Sequence, residues 1–348
     1  LYTARLFNAL LMVLTLWILY LMTARFSKQP ITAFCVVVLV SAVPLISQTA
    51  AGVNNDTLIL LLSILLLWRW MRYYEAASTR NLWWLGFVLG LCGICKYTLL
   101  PIMAAVSAFA LWHHIQHKGL TLKPIVCFLG LAWIPISLWI IRNLLVLGSA
   151  LPTDIDYLTF GQPTQYSFKA FLETYPLFTH LFRSFWGIFG WYGSEKGLVL
   201  TTLHLPESYQ LFYAILTLFL ASISLSTLFA KTAKAPAKST FLIGILSGAI
   251  TLLFTQLNAF PKEASFVRWL LYLALFSSLF AVAFGALKVW LTQKPIQDWR
   301  TRIHLEALLL SVFFLLIIFL KLHHYGNESG MLRGTHGRYF FACIGSLL

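Results

Sequence analysis

Charge is what this sequence has least of. Asp, Glu, Lys and Arg make up 10% of its 348 residues, against roughly 25% in a typical soluble domain. Hydrophobic residues make up 59%, and the mean hydropathy is +0.81. A soluble fold of this length could not cover its surface with so few charges, and a disordered chain does not carry so many apolar residues. The composition therefore excludes both classes and predicts a polytopic membrane protein.

Acidic residues and cysteines are also scarce. Eleven Asp and Glu stand against 25 Lys and Arg, which gives a net charge of +14. We expect the basic excess to anchor transmembrane helices at the cytoplasmic side, and we predict no nucleic-acid partner. Five cysteines are too few for a disulfide scaffold. Cys92 and Cys95 form a C-x-x-C with no second pair, so they are predicted to pack in the core.

Apolar runs of a length that suits membrane spans recur along the chain. The runs 82–95 and 98–113 are short, and because Lys96 and Tyr97 lie between them, they are predicted to form a helical hairpin that reaches a polar site. Only helices satisfy their own backbone in lipid, so the predicted fold class is an all-α polytopic membrane protein with about ten to eleven transmembrane helices. Residues 1–348 would form a single transmembrane domain, which we expect to be truncated at both ends. The candidate spans are 6–24, 31–50, 57–72, 82–95, 98–113, 123–147, 208–230, 240–258, 267–290 and 305–322, with a last one opening near 338.

The basic residues predict the orientation of these spans. Alternation of the spans places 14 of the 25 basic residues, but only three of the 11 acidic ones, on the side that holds Arg25 and Lys28. This side is predicted to be cytoplasmic. The long segment 148–207 then lies outside. Aromatic and leucine residues recur there at spacings of three and four over about 167–186, which predicts an amphipathic helix in the membrane interface.

Three basic residues at predicted outer helix ends are candidates to bind a phosphate: Lys96, Arg142 and Arg338. An ammonium at the end of an apolar span is costly unless it reaches water or meets an anion. Arg offers a planar fork that suits phosphate, and Arg338 opens a predicted helix. The alternative for each is a role as an interfacial anchor.

Other polar residues cluster at the same predicted side. Asn54, Asn55 and Asp56 lie in an outer turn, where Asp56 would complement the helix dipole or, with the asparagines, bind a sugar. Asp154 and Asp156 are candidates for a general base or metal ligands, with a solvated loop as the alternative. His113-His114-x-x-His117 lies at a predicted cytoplasmic helix end, where histidines complement the dipole, and no metal site is predicted there.

Five short motifs, in order, resemble those of GT-C membrane glycosyltransferases, in particular a bacterial group of unknown function. Protein O-mannosyltransferases and lipid A aminoarabinose transferases are more distant members. The motifs are N-N-D-T-L at 54–58, G-L-C-G-I-C-K-Y at 90–97, R-N followed by L-G-S-A-L-P at 142–152, S-F-W-G-I-F-G-W at 184–191 and H-G-R-Y-F at 336–340.

This resemblance implies an enzyme that moves a sugar from a polyprenyl-phosphate donor to an acceptor on the extracytoplasmic face, in a bacterial inner membrane and for the cell envelope. Lys96, Arg142 and Arg338 would bind the donor phosphate. In such enzymes the general base is an acidic residue in the first outer loop, and we expect that loop to lie upstream of Leu1. The residues expected to contact sugar or lipid are Asn54, Asn55, Asp56, Trp186, Trp191, His336 and Tyr339.

Some alternatives stay open at this point. The two tryptophans also suit an interfacial aromatic belt. A divalent metal is an open alternative among cofactors, and none is certain. The expected partners are the lipid-linked sugar and membrane lipids. An O-antigen-type polymerase or ligase, or a transporter, is the alternative function, although we find neither an internal repeat nor charges at the centre of the spans.

Overall fold

A computed structural model of the chain describes residues 2–52, 55–148 and 150, the pairs 188–189 and 203–204, and scattered positions between 299 and 317. The described chain is helical apart from one two-residue antiparallel pair. The helices are α1 (Tyr2–Ser27), α2 (Pro30–Ser41), α3 (Pro44–Ala51), α4 (Asp56–Glu75), α5 (Thr79–Cys95), a 3₁₀ turn (Tyr97–Leu99), α6 (Leu100–Lys118) and α7 (Leu122–Leu147).

Three of these helices, α1, α4 and α7, are long and apolar enough to cross a membrane. They coincide with predicted spans 6–24, 57–72 and 123–147, and the prediction of a helical membrane protein is confirmed to that extent. The predicted total of ten to eleven spans stays a prediction, because the candidates at 208–230, 240–258, 267–290 and 338 lie outside the described residues.

The predicted span 31–50 is divided into α2 and α3. The backbone of Val43 is extended at φ −68° and ψ 116°, and Pro44 begins the next helix. Proline has no N–H to donate, and its ring clashes with the preceding turn of a helix. The first helix therefore ends before Pro44, and a second helix begins there. This break was not predicted, although Pro44 signals it in the sequence.

The two ends of the helices carry different ion pairs. At the end of α4 that holds Glu75, the Arg25 guanidinium of α1 contacts both oxygens of the Glu75 carboxylate at 2.9 Å. At the other end, Asp56 of α4 pairs with Lys96, which follows α5. We call these the Glu75 end and the Asp56 end. The pairing agrees with the alternation of spans that the sequence analysis assumed.

The tightest helix contact joins α5 and α7. A Cβ added at Gly86 would lie 2.7 Å from the carbonyl oxygen of Phe128, and one at Gly90 would overlap the carbonyl oxygen of Leu131. Small residues let two helix backbones approach this closely. In a membrane the hydrophobic effect does not drive helices together, so this close packing stabilises the contact. The contact fixes the height of α5, and therefore of Lys96 at its end, against α7.

The strand pair β1 (Ile188–Phe189) and β2 (Leu203–His204) lies inside segment 148–207 and was not predicted. Ile188 pairs with His204, and Phe189 pairs with Leu203. The amphipathic helix predicted at 167–186 lies outside the described residues.

Helical residues from the far end of the chain pack against the Glu75 end. Arg302 donates to Glu306 at 3.0 Å and to Gln116 of α6 at 2.9 Å, with its guanidinium carbon 5.4 Å from the centre of the Tyr74 ring. The Arg302 and Glu306 side chains are 4% and 0% exposed. Replacing one residue of a buried ion pair leaves the charge of its partner buried and uncompensated.

We expect Arg302→Ala to lower the free energy of unfolding by about 3 kcal/mol or more. The matched control is Arg25→Ala, because Arg25 makes the same kind of pair with 47% of its side chain exposed. That change should cost below about 1 kcal/mol. Thermal unfolding of both variants in detergent measures the difference. Equal losses would show that the buried pair does not hold this segment in place.

Candidate functional site

An ion pair at the Asp56 end is the centre of the candidate site. The Lys96 ammonium lies 2.8 Å from Oδ1 of Asp56, and the two side chains are 22% and 5% exposed. Asp56 is the first residue of α4, and Lys96 has an extended backbone where α5 stops. The pair thus joins two helix ends that are 40 residues apart in the chain. Both residues were predicted to contact substrate, but not each other.

Lys96 projects from the tip of a helical hairpin. α5 stops at Cys95, the 3₁₀ turn follows, and Pro101 sits in the first turn of α6. The helical hairpin predicted for the short apolar runs 82–95 and 98–113, with Lys96 and Tyr97 between them, is confirmed. Free thiols are found at Cys92, which is buried, and at Cys95, so the packing role predicted for this C-x-x-C fits the structure.

Two hydrogen bonds hold the end of α3, which precedes Asp56 in the chain. The side-chain amide of Asn8 in α1 donates to the carbonyl oxygen of Gly52 at 2.6 Å. The hydroxyl of Thr57 donates to the carbonyl oxygen of Thr49 at 3.1 Å. Asn8 and Thr57 are both buried. Sequence reasoning missed Asn8, although an asparagine inside an apolar span is itself a signal because a polar group in lipid must find a partner.

The α4 N-terminus and Lys96 together favour an anion. A helix N-terminus carries a partial positive charge, and the ammonium adds a full one beside it. In the structure the Asp56 carboxylate takes this place. An exogenous anion would have to share Lys96 with Asp56 or displace that carboxylate from it.

An aromatic pair lies next to the ion pair. The Tyr97 ring stacks on Trp139 of α7, with 6.4 Å between the ring centres and 11° between their planes. Because Tyr97 follows Lys96 directly in the chain, this stack, which we call the aromatic wall, lies at the same helix end as the ion pair. Trp139 was missed, since α7 also carries Trp133 and the sequence does not show which of the two faces α5.

Arg142 and Asn143 are adjacent residues near the C-terminal end of α7. Arg142 is exposed and donates to Oδ1 of Asn143 at 3.0 Å. Asn143 is 1% exposed. The structure therefore gives Arg142 an intramolecular partner, Asn143, and the phosphate role predicted for Arg142 stays a prediction.

The remaining predicted site residues divide into two groups. Asn55 is exposed at the N-cap of α4 and makes no side-chain cap hydrogen bond. The others lie outside the described residues and stay predictions: Asn54, Asp154, Asp156, Trp186, Trp191, His336, Arg338 and Tyr339.

The histidine motif lies at the Glu75 end, away from this site. The His113 ring stacks on Tyr74 at 4.0 Å between ring centres, and His114 contacts the Tyr73 hydroxyl at 3.1 Å. Among the described residues, no group of three His, Cys, Asp or Glu side chains is arranged to hold a metal ion. His113 and His114 pack against the two tyrosines of α4 at this end.

Residues 2–141 match the family model described as dolichyl-phosphate-mannose-protein mannosyltransferase. This match supports the resemblance of the region to the GT-C superfamily of membrane glycosyltransferases. No curated protein and no solved structure matches the chain significantly. The matched region contains Asp56, Lys96 and Trp139, and Arg142 follows it directly. Together with the apolar helices, the match confirms the prediction of an integral membrane protein of glycosyltransferase type.

Proposed function

We propose that this chain transfers a sugar from a polyprenyl-phosphate donor to an acceptor on the extracytoplasmic face of a bacterial inner membrane. The observation that carries the proposal is the half-buried Lys96 ammonium at the Asp56 end. A cation held at the end of apolar helices fits an anion that itself sits at the membrane surface. A polyprenyl phosphate is such an anion, because its lipid tail keeps the phosphate at that depth.

The charge of Lys96 suits the bond that breaks. In the transfer, an acceptor hydroxyl attacks the anomeric carbon while the bond from that carbon to the phosphate oxygen breaks. The hydroxyl proton passes to a base, and the phosphate leaves with one more negative charge than it had as a diester. A fixed ammonium stabilises this growing charge more in a site of low water content than it would in bulk water. Asp154 and Asp156 are our candidates for the base.

The aromatic wall suits the sugar. Tyr97 and Trp139 present stacked rings at the helix end that holds Lys96, and the apolar face of a pyranose packs on such surfaces. In this proposal, Arg142 and Arg338 add to the positive charge around the phosphate. The rest of the sugar and lipid contacts come from Asn54, Asn55, Asp56, Trp186, Trp191, His336 and Tyr339.

A binding comparison tests the phosphate requirement. The full chain, reconstituted in lipid nanodiscs, is titrated with a polyprenyl phosphate and with the polyprenol of the same chain length, and tryptophan fluorescence reports binding. We expect the phosphate to bind at least about tenfold more tightly, which corresponds to about 1.4 kcal/mol. Equal affinities would contradict the proposed phosphate site. Transfer from a polyprenyl-phosphate sugar to endogenous envelope acceptors, followed with a radiolabelled donor, then tests the reaction itself.

A further inference from the structure

One buried polar atom in the candidate site has no partner. The side-chain nitrogen Nδ2 of Asn143 is fully shielded from solvent and makes no hydrogen bond within the described part of the chain. Buried amide groups in folded proteins are almost always hydrogen-bonded, and each exception needs an explanation. A hydrogen-bond partner supplied by a bound ligand is one such explanation.

The neighbouring arginine fixes which way this amide points. A guanidinium can only donate hydrogen bonds, so the atom of Asn143 that faces Arg142 must be the oxygen. The observed contact joins Arg142 Nη1 to Asn143 Oδ1 at 3.0 Å. Because the oxygen is held there, the NH₂ group is turned away from Arg142. What Asn143 has left to offer is therefore a hydrogen-bond donor.

The position of Asn143 along α7 brings this donor to the site. The buried residues of α7 are Phe128, Ala132, Ile136 and Asn143, which form one stripe. That stripe faces α5, since Phe128 and Ile136 lie against Gly86 and Gly93. Asn143 lies one helical turn, about 6 Å, beyond Trp139. α5 ends at Cys95, so at this height the stripe has passed the end of α5 and reached the level of the Lys96 and Tyr97 turn.

We propose that Asn143 is a specificity-determining residue whose Nδ2 donates a hydrogen bond to a hydroxyl oxygen of the donor sugar. The inference rests on the proposed function and deepens it. A neutral amide adds no charge to a phosphate site that already has Lys96. It does distinguish a sugar that presents an oxygen at one position from a donor that does not, because the wrong donor leaves the amide unpaired.

The test compares two probes on the wild type and two Asn143 variants, with one further variant as the control. The probes are a polyprenyl phosphate and the same lipid carrying mannose, and their affinities are measured for the full chain in nanodiscs. The proteins are wild type, Asn143→Leu and Asn143→Ser. Leucine has nearly the shape of asparagine and no donor. Serine is smaller but keeps one. Asn81→Asp is the control, since the Asn81 amide donates to the carbonyl oxygens of Arg72 and Ala76 at the Glu75 end.

We expect Asn143→Leu to weaken binding of the mannosyl lipid by about 10- to 100-fold, with little change for the bare phosphate. Its thermal stability should equal or exceed that of wild type, because an unpaired buried amide has been removed. Asn143→Ser should keep part of the preference. Asn81→Asp should lower stability and leave the preference intact.

Three results would overturn the assignment. Asn143→Leu could weaken both probes equally, which would indicate a phosphate contact or a packing role. It could leave both affinities unchanged. The wild type could bind the mannosyl lipid no better than the bare phosphate. These differ from failure of the proposed function itself, in which the wild type would bind polyprenyl phosphate and polyprenol alike.

Discussion

Replacing Lys96 by methionine should reduce the affinity for polyprenyl phosphate by about 100-fold, whereas replacing its partner Asp56 by asparagine should preserve or increase it. The two side chains form one ion pair at 2.8 Å, yet the proposal gives them opposite effects. Lys96 supplies the charge that attracts the phosphate. In the absence of substrate, the Asp56 carboxylate pairs with the Lys96 ammonium, so in this proposal it competes with the phosphate for that cation.

The stabilities of these variants should rank differently from their affinities. Lys96→Met leaves the Asp56 carboxylate, 5% exposed, without its cation, which costs about 3–5 kcal/mol for a fully buried pair. Asp56→Asn should cost less, because Lys96 is 22% exposed and its ammonium can turn to water. The double variant has no charge to bury, and its thermal unfolding should approach that of wild type.

The double variant Lys96→Met/Asp56→Asn therefore separates folding from binding. It should fold like wild type and bind polyprenyl phosphate as weakly as Lys96→Met does. Titration in nanodiscs, with the polyprenol of equal length as the control lipid, measures the loss. If the double variant is stable and keeps wild-type affinity, Lys96 is a structural residue and the phosphate site lies elsewhere.

Local features of this fold were predictable from the sequence. The apolar runs gave α1, α4 and α7 within a few residues, because a span must be long and apolar wherever it packs. The position of Lys96 between two short runs correctly placed it at a hairpin tip. The break at Pro44 was also within reach, since proline restricts the backbone in any context.

Contacts between helices were not predictable in the same way. Asp56 and Lys96 are 40 residues apart, and Asn8 and Gly52 are 44 apart. Their meeting depends on how α1, α4 and α5 rotate about their own axes. Soluble helices reveal this rotation by one polar face, but a membrane helix is apolar all round, so the pattern that would show its inward face is weak. Asn143 belongs to the R-N motif, but its burial was not predicted, because the sequence does not show which face of α7 is turned inward.

Gly90→Ala should be among the most destabilising single-methyl changes in the described part of the chain. The added Cβ would overlap the carbonyl oxygen of Leu131, a backbone atom that cannot turn aside, and would lie 3.3 Å from Cγ of Pro135. Inserting carbon into a packed contact usually costs about 1–3 kcal/mol. Here the cost should reach or exceed the upper value, even after alanine's helix-propensity gain of up to about 1 kcal/mol.

Gly130→Ala is the matched control on the partner helix. Its Cβ would meet only Cδ1 of Ile134, at 3.5 Å, which is an ordinary contact. The same methyl should therefore leave stability unchanged or raise it. Thermal unfolding in detergent compares the two variants directly. Equal effects would mean that the close approach of α5 and α7 does not stabilise the fold.

The Gly90 change should also reach the site, because α5 carries Lys96 at its end and α7 carries Trp139. Moving the two helices apart separates Tyr97 from Trp139 and shifts the ammonium relative to the aromatic wall. Any Gly90→Ala protein that still folds should bind polyprenyl phosphate more weakly than wild type, while Gly130→Ala binds it normally. Normal binding by a folded Gly90→Ala protein would show that the height of α5 against α7 is not what positions Lys96.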